Sequence, residues 1–403
     1  MLFMQHRHLT EMPNVRLPDL YETEQRLSAH LDFGMYCGAQ ALDMARSIFE
    51  ESPTRGEVSM FAHVAMLQGN KGFPELIGDM AADPQDAVAA IGHAFAFCGK
   101  PVRRDYLGQW IHSDNPFLVQ SALEAAIQHR LNLRDLLIPL FDHADNGIRA
   151  RAFEYAGVMG LAEHGPRAEE AAGDSAPDVS FAAAVAGCRI ASGATIVPLL
   201  SKIGPSSSAR DSRLATEVAF LTLNEENARD HVRTLLSDID TRRWGLLALG
   251  VIGAARTLDF IISDMAAPEF SRMAGWAFSM ITGANVAEDD LELDEFPDSP
   301  DNPLLEDAPE EDAIEEALPW PDPERVKAWM SENGSRLSSD HSMLFGLARW
   351  SYQDIDTTQL EFQGRFRAVA QAIAMQAPNR RLPNWRSRVF LQDRQFQRDW
   401  QMG

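Results

Sequence analysis

Apolar residues recur at three- and four-residue spacing along most of the chain, which is the period of amphipathic helices. Similar apolar segments end at a nearly constant interval of 30 to 32 residues. These ends fall at Gly38, Gly69, Gly99, Arg130, Gly160, Ile190, near Thr222, and at Gly253 and Gly283. Most are glycine, which suits the left-handed turn that closes a helix. The pattern predicts one helix per interval, ending at or near each of these residues.

Turn and capping signals recur in the same phase. They are Asp83-Pro84, Asn115-Pro116, Asp145-Asn146-Gly147, Ala176-Pro177 and Pro268. Such residues cap or start helices. The second half of each interval carries a further amphipathic segment, for example residues 133–143 and 228–238. One unit is therefore predicted to be a helix, a turn and a second helix.

A repeat of about 31 residues made of two helices is typical of an α-solenoid, because one helix pair can bury its apolar face only against its neighbours. We predict an all-α fold, with eight or nine such repeats over residues 18–286. The spacing of Arg, small and apolar residues in 148–160 and 242–253 resembles HEAT-like repeats, which also occur in phycobilin lyases. That resemblance concerns the structural unit, since a fold does not define a function.

The repeat pattern stops after Gly283, and an acidic stretch follows at residues 287–317. It contains fifteen Asp or Glu and no Lys or Arg. Its four prolines exclude one continuous helix. We predict a disordered linker here.

A Trp- and Arg-rich region, residues 318–403, follows the acidic stretch and is predicted to form a helical cap. Asp322 is expected to cap a helix that begins at Pro323 and contains Trp329. A second helix is expected over residues 364–377, before Pro378.

The formal net charge is −23, of which the acidic stretch contributes −15. This charge disfavours contact with nucleic acid and anionic membranes and favours basic partners. The N-terminal residues do not resemble a signal peptide, and no apolar run is long enough to span a bilayer. Three cysteines without a CxxC pair fit a reducing compartment. A cytoplasmic location is expected.

The chain contains no GxGxxG, GxxxxGK[ST], HExxH or GxSxG motif. We therefore predict a non-enzyme without cofactor or metal. His6 is expected to face solvent, in a mobile terminal pair with His8. His30, His63 and His93 recur at roughly the repeat interval, either as a ligand-binding ladder or, with more weight, as surface or hydrogen-bonded helix residues.

The acidic stretch has three interpretations: a Ca²⁺ site, which the lack of a D-x-D-x-D-G loop disfavours, a solvated linker, or a segment that docks on a basic surface of this chain or of a partner. Trp320 and Trp329 likewise serve either a small cap core or an interface, where Trp is enriched. The predicted partner-binding residues are Asp289, Asp290, Glu292, Asp294, Glu295, Asp298, Asp301, Trp320 and Trp329.

The run Leu318-Pro319-Trp320-Pro321-Asp322-Pro323, together with the preceding repeats, the acidic break and the closing Arg-rich segment, resembles a HEAT-repeat family of Gram-negative bacteria. That family often has a second Trp where this chain has Met330, and it offers no catalytic residues for comparison. Its members are often encoded beside type VI secretion components. The resemblance implies a type VI immunity protein that neutralises a co-encoded toxin, for example a basic nuclease. The alternative is an adaptor for assembly of a secretion complex.

Overall fold

The computed structural model describes residues 5, 6, 9, 15–81, 83–190, 193–223, 225–295, 315, 318–337, 342–348 and 381–382. The chain forms two compact units, which divide between Ala186 and Gly187. The described parts of residues 1–11, 15–186 and 379–403 belong to unit 1, and those of 187–378 to unit 2. The predicted boundaries at 286 and 317 remain predictions.

Unit 1 consists of successive helices joined by short turns. They are α1 (Leu17–Cys37), α2 (Ala39–Glu51), α3 (Arg55–Leu67), α4 (Phe73–Met80), α5 (Pro84–Ala94), α6 (Lys100–Trp110), α7 (Pro116–His129), α8 (Leu137–Phe141), α9 (Asn146–Met159) and α10 (Gly165–Ala171). Short 3-10 turns lie at Phe95–Phe97, Arg134–Leu136 and Ala162–His164. The helix α11 (Pro177–Arg189) crosses the division between the units.

Unit 2 continues the same alternation of helices. They are α12 (Ile196–Leu200), α13 (Ala209–Thr222), α14 (Glu225–Ser237), α15 (Arg242–Ile252), α16 (Leu258–Asp264), α17 (Pro268–Thr282) and α18 (Pro323–Asn333). 3-10 turns occupy Gly193–Thr195, Ala255–Thr257 and Gly334–Arg336. Two short antiparallel strands, β1 (Met343–Leu344) and β2 (Leu347–Ala348), form a hairpin.

The first helices of consecutive repeats pack against one another in series. In unit 1 the series is α3, α5, α7 and α9, and in unit 2 it is α13, α15 and α17. This serial packing is that of an α-solenoid and confirms the predicted fold class. The first helices contribute much of the core: in α15, every residue from Trp244 to Ile252 is buried.

Hydrogen bonds in unit 1 repeat the period of the sequence. Ser59 Oγ donates to Ala90 O at 3.0 Å, and a His63 ring nitrogen lies 3.3 Å from Ala94 O, in both cases 31 residues along the chain. Arg151 donates to Gln120 Oε1 at 3.0 Å across the same separation. Because equivalent positions of adjacent repeats bond to each other, these polar contacts fix the register of the stack.

Most of the predicted helix boundaries are confirmed. Asp83, Asn115, Asp145 and Asp322 each accept hydrogen bonds from the first backbone N–H groups of the helix that follows. The predicted helix ends at Gly69, Arg130, Gly160, Gly253 and Gly283 all have positive φ. Arg130 adopts this conformation without being glycine and donates from Nε to Leu382 O at 2.9 Å.

The expected left-handed helix end at Gly99 is wrong. Helix α5 already ends at Ala94 and runs into the 3-10 turn Phe95–Phe97. Cys98 then extends the chain, and Gly99, with φ of −66°, becomes the residue that precedes α6. The next helix starts at once at Lys100, so the chain has no room for a left-handed turn.

The hairpin of β1 and β2 was not predicted, and it closes the ends of two first helices. Phe345 and Gly346 at its turn both have positive φ. Their N–H groups donate to Met280 O and Ile281 O, in the last turn of α17, the latter at 3.0 Å. Met343 N donates to Gly253 O, just past α15, at 2.9 Å. The hairpin thus satisfies carbonyl groups that a helix end leaves without partners.

Gly253 and Gly283 are needed both for their backbone conformation and for the approach of this hairpin. A Cβ atom would lie 2.6 Å from Met343 N at Gly253, and 2.6 Å from Phe345 O at Gly283. Gly69 shares the positive φ, but nothing lies within 4 Å of the corresponding Cβ position. An alanine at Gly69 would therefore meet backbone strain alone, whereas an alanine at Gly253 or Gly283 would also overlap with the hairpin.

Gly69→Ala is therefore expected to lower the free energy of unfolding of its unit by about 1 kcal/mol, the cost of a left-handed alanine. Gly253→Ala should cost clearly more, roughly 2–4 kcal/mol, because the hairpin must also move. Urea denaturation followed by circular dichroism measures both. Equal losses for the two variants would contradict the proposed contact.

Candidate protein-binding site

The first part of the acidic stretch, residues 287–295, is attached to unit 2 through its backbone; we call it the acidic loop. Leu291 is buried, and its carbonyl accepts from Asp322 N at 2.7 Å. Leu293 N donates to Trp320 O at 2.9 Å, and Glu292 forms an isolated β-bridge with Pro321. Residues 291–293 are thus paired through their backbone with residues 320–322. Of the predicted linker at 287–317, residues 296–314, 316 and 317 lie outside the described residues.

Arg325, in the first turn of α18, holds the acidic loop. Its Nη2 donates to both carboxylate oxygens of Asp294 at 2.7 Å, and its Nη1 donates to Glu292 O at 2.8 Å. Asp290 and Asp322 oxygens lie 3.5 Å away. The hydrogen bonds that Arg325 donates to Asp294 raise the pKa of Arg325. One guanidinium therefore balances only part of the surrounding negative charge.

Glu315, near the other end of the acidic stretch, also contacts unit 2. Glu315 lies 3.4 Å from an Arg243 nitrogen, and its carbonyl accepts from Arg272 at 3.4 Å. Leu318, three residues on, is buried and donates its N–H to Glu315 O at 3.0 Å. Both Arg243 and Arg272 belong to first helices of unit 2, α15 and α17.

The carboxylates of the acidic loop point mainly to solvent. Six of its nine residues are acidic. The side chains of Asp290 and Asp294 are 97% and 82% exposed, and Glu295 is also exposed. Asp289 is exposed too, although one carboxylate oxygen accepts from Asn285 N at 2.9 Å. Glu292 is half-buried. The loop thus presents a fixed patch of negative charge.

Trp320 and Trp329 are half-buried and pack on α17. The Arg272 guanidinium lies 4.3 Å from the Trp320 ring centre, within cation–π range. The Trp329 ring meets Phe278 edge to face, with centres 5.6 Å apart. The two tryptophans therefore help to attach α18, and their role in partner binding stays a prediction. Asp298 and Asp301 lie outside the described residues.

The expectation that His6 faces solvent is wrong. Only 1% of His6 is exposed, and its Nδ1 lies 2.9 Å from His93 Nε2. Its other nitrogen lies 3.2 Å from an oxygen of Glu24, which is fully buried. His30, by contrast, is exposed. The three repeating histidines therefore do not form one exposed ladder.

The pair His63 and Cys98 resembles a catalytic dyad only in composition. Its nitrogen and sulfur atoms lie 3.5 Å apart. Burial lowers the pKa of His63 to about 4 and raises the pKa of Cys98 to about 12. A nucleophilic thiolate needs the opposite shifts. Both groups are neutral at pH 7 and serve packing.

Nothing in the described part of the chain brings three His, Cys, Asp or Glu side chains together as a metal would require. No helix within the described ranges is long and apolar enough to cross a membrane. The sequence matches no protein-family model, and no curated protein matches it significantly.

The contacts of Arg325 predict how the acidic loop responds to mutation. In Arg325→Ala, the Asp294 and Glu292 contacts are lost while the backbone pairing remains, so the loop should open more often. Cleavage by a glutamate-specific protease after Glu292 and Glu295 should become several-fold faster. Lys327→Ala, which removes an exposed ion pair on the same helix, is the control. Unchanged cleavage would show that the backbone alone holds the loop.

One buried and one half-buried histidine, His63 and His129, predict acid sensitivity of unit 1. The pKa values of His63 and His129 are each lowered to about 4, chiefly by burial. The unfolded chain takes up a proton near pH 6.5, whereas the folded unit resists it until about pH 4, so stability falls as the pH drops through this range. The loss reaches up to about 3 kcal/mol per histidine.

His129→Gln should therefore reduce the loss of stability between pH 6.5 and pH 4, and His30→Gln, at an exposed position, should not. Urea denaturation at a series of pH values provides the comparison. Parallel curves for His129→Gln and the wild-type protein would contradict the assignment.

Proposed function

We propose that this protein is a non-enzymatic binding scaffold that neutralises a basic toxin, acting as a type VI secretion immunity protein. The observation that carries the proposal is the acidic loop, whose exposed carboxylates are held in place by backbone pairing and by Arg325. The type VI context and the toxin come from the sequence resemblance, and a nuclease is the class whose surface best matches an acidic inhibitor.

The ordering of the acidic loop supports binding on energetic grounds. A loop that is fixed before it meets its partner loses less conformational entropy on binding than a free segment does. Exposed charges of one sign also steer an oppositely charged protein and speed association. A nuclease surface is basic because it must hold phosphates. The acidic loop would therefore compete with the nucleic acid for that surface.

The direct test is coexpression with the product of the neighbouring gene. The two proteins are expected to copurify, and the toxicity of the neighbour is expected to disappear. A deletion strain should be intoxicated by its siblings; a strain that survives but secretes poorly would indicate the adaptor function instead. Absence of any association or protection would refute the proposal.

The charge of the acidic loop gives a quantitative prediction. Asp290→Asn together with Glu295→Gln leaves the contacts to Arg325 from Asp294 and Glu292 in place. The variant should associate with the partner about tenfold more slowly at low salt, and its rate should depend less on salt. Stopped-flow or surface-binding kinetics over a salt series measure this.

The matched control is Asp135→Asn with Glu170→Gln, two exposed acids of unit 1. It removes the same charge away from the acidic loop and should leave association nearly unchanged. If both double variants slow association equally, net charge matters and the acidic loop does not.

A further inference from the structure

A groove in unit 2 is lined by arginines, although the chain as a whole is acidic. This open groove has a volume of about 520 Å³ and lies between α14, α15 and the start of α16. Four arginines line it: Arg229, Arg233, Arg242 and Arg256. Among the described residues that line it, none is acidic. We call it the arginine groove.

The wall formed by α14 carries Arg229 and Arg233, four residues apart and therefore on one helix face. Both are exposed. The partner of Arg233 is Asp230, at 3.0 Å, in a pair whose side chains are 73% and 86% exposed. Such a surface pair contributes little to stability. These arginines are therefore available to bind an external anion.

The opposite wall is positioned by a different arginine. Arg242 donates to both oxygens of Asp264 at 2.8 Å and to Leu236 O at 3.1 Å, and its guanidinium lies 5.4 Å from the Phe260 ring centre. The hydrogen bonds to Asp264 raise the pKa of Arg242. Arg242 thus ties α14, α15 and α16 together, and Arg256 lies exposed on the turn before α16.

The surface between the arginines is apolar. Leu236, Leu249, Ile252 and Phe260 contribute to it. Phe260 is 37% exposed, which is high for a large apolar side chain. A volume of about 520 Å³ lies in the range of ligand-binding clefts. The groove therefore suits an apolar group flanked by negative charges.

We infer that the arginine groove binds an acidic peptide segment of a partner protein, with one bulky apolar side chain on the apolar surface and carboxylates on both walls. Arginine binds carboxylates with paired hydrogen bonds. Inorganic phosphate would leave the apolar surface uncovered, and a fatty acid has only one charge for two walls. A peptide supplies both features. This inference does not depend on the immunity function.

The test uses the full-length protein and a fluorescein-labelled peptide of alternating leucine and paired glutamate residues, followed by anisotropy. The peptide should bind, and its glutamine counterpart should not. Arg229→Ala with Arg233→Ala should weaken binding by about tenfold or more, since two charged hydrogen-bonding groups are removed. Arg210→Ala with Arg336→Ala, two exposed arginines of the same unit, should bind like the wild-type protein.

Three outcomes would overturn the inference: no binding of the acidic peptide, equal weakening in both double variants, or full displacement of the peptide by equimolar phosphate or laurate. The last would make the groove a site for small anions. Circular dichroism checks that the variants fold. Failure here with successful copurification of the toxin would leave the proposed function intact.

Discussion

Within each unit, burial of the first helices against one another is the interaction on which the rest of that unit depends. A helix such as α15, buried along nearly its whole length, has no stable position without its neighbours. Small residues and glycines permit the close approach: a Cβ at Gly250 would lie 3.0 Å from the Ala277 backbone of the next first helix. In unit 2, the acidic loop and the arginine groove take their positions from this series of first helices.

The features predictable from sequence are those set by local chemistry. An Asp or Asn before the first helical residue caps it whatever lies nearby, and most helix-ending residues adopt positive φ as expected. Features that depend on distant partners were not predictable. His6 is buried because its ring nitrogens contact His93 and Glu24, which lie far from it in the sequence. The only local signal for the hairpin in the described residues is the glycine of its Phe345-Gly346 turn. That signal is weak, because the hairpin is held by hydrogen bonds to the ends of distant helices.

The candidate site was predictable in its composition but not in its arrangement. The density of carboxylates at 287–295 is evident from the sequence, whereas the role of Arg325 depends on the pairing of Leu291 with Asp322. The arginine groove is harder still to foresee. Arg229 and Arg233 share a helix face, but only the packing of α14 against α15 places them beside an apolar cleft. Unit 2 thus carries both signs of charge in separate places.

The hairpin at the ends of α15 and α17 limits how the repeat array can evolve. Its hydrogen bonds go to main-chain carbonyls of two consecutive repeats, and its close approach is possible only where both helices end in glycine. If a repeat were duplicated between α17 and the hairpin, its first helix would also have to end in glycine. That helix end would have to lie at the same spacing for the hairpin to bond to its carbonyls. Duplications upstream meet no such requirement. The array can therefore lengthen by gain of internal repeats, while its last two repeats remain tied to the hairpin as one inherited block.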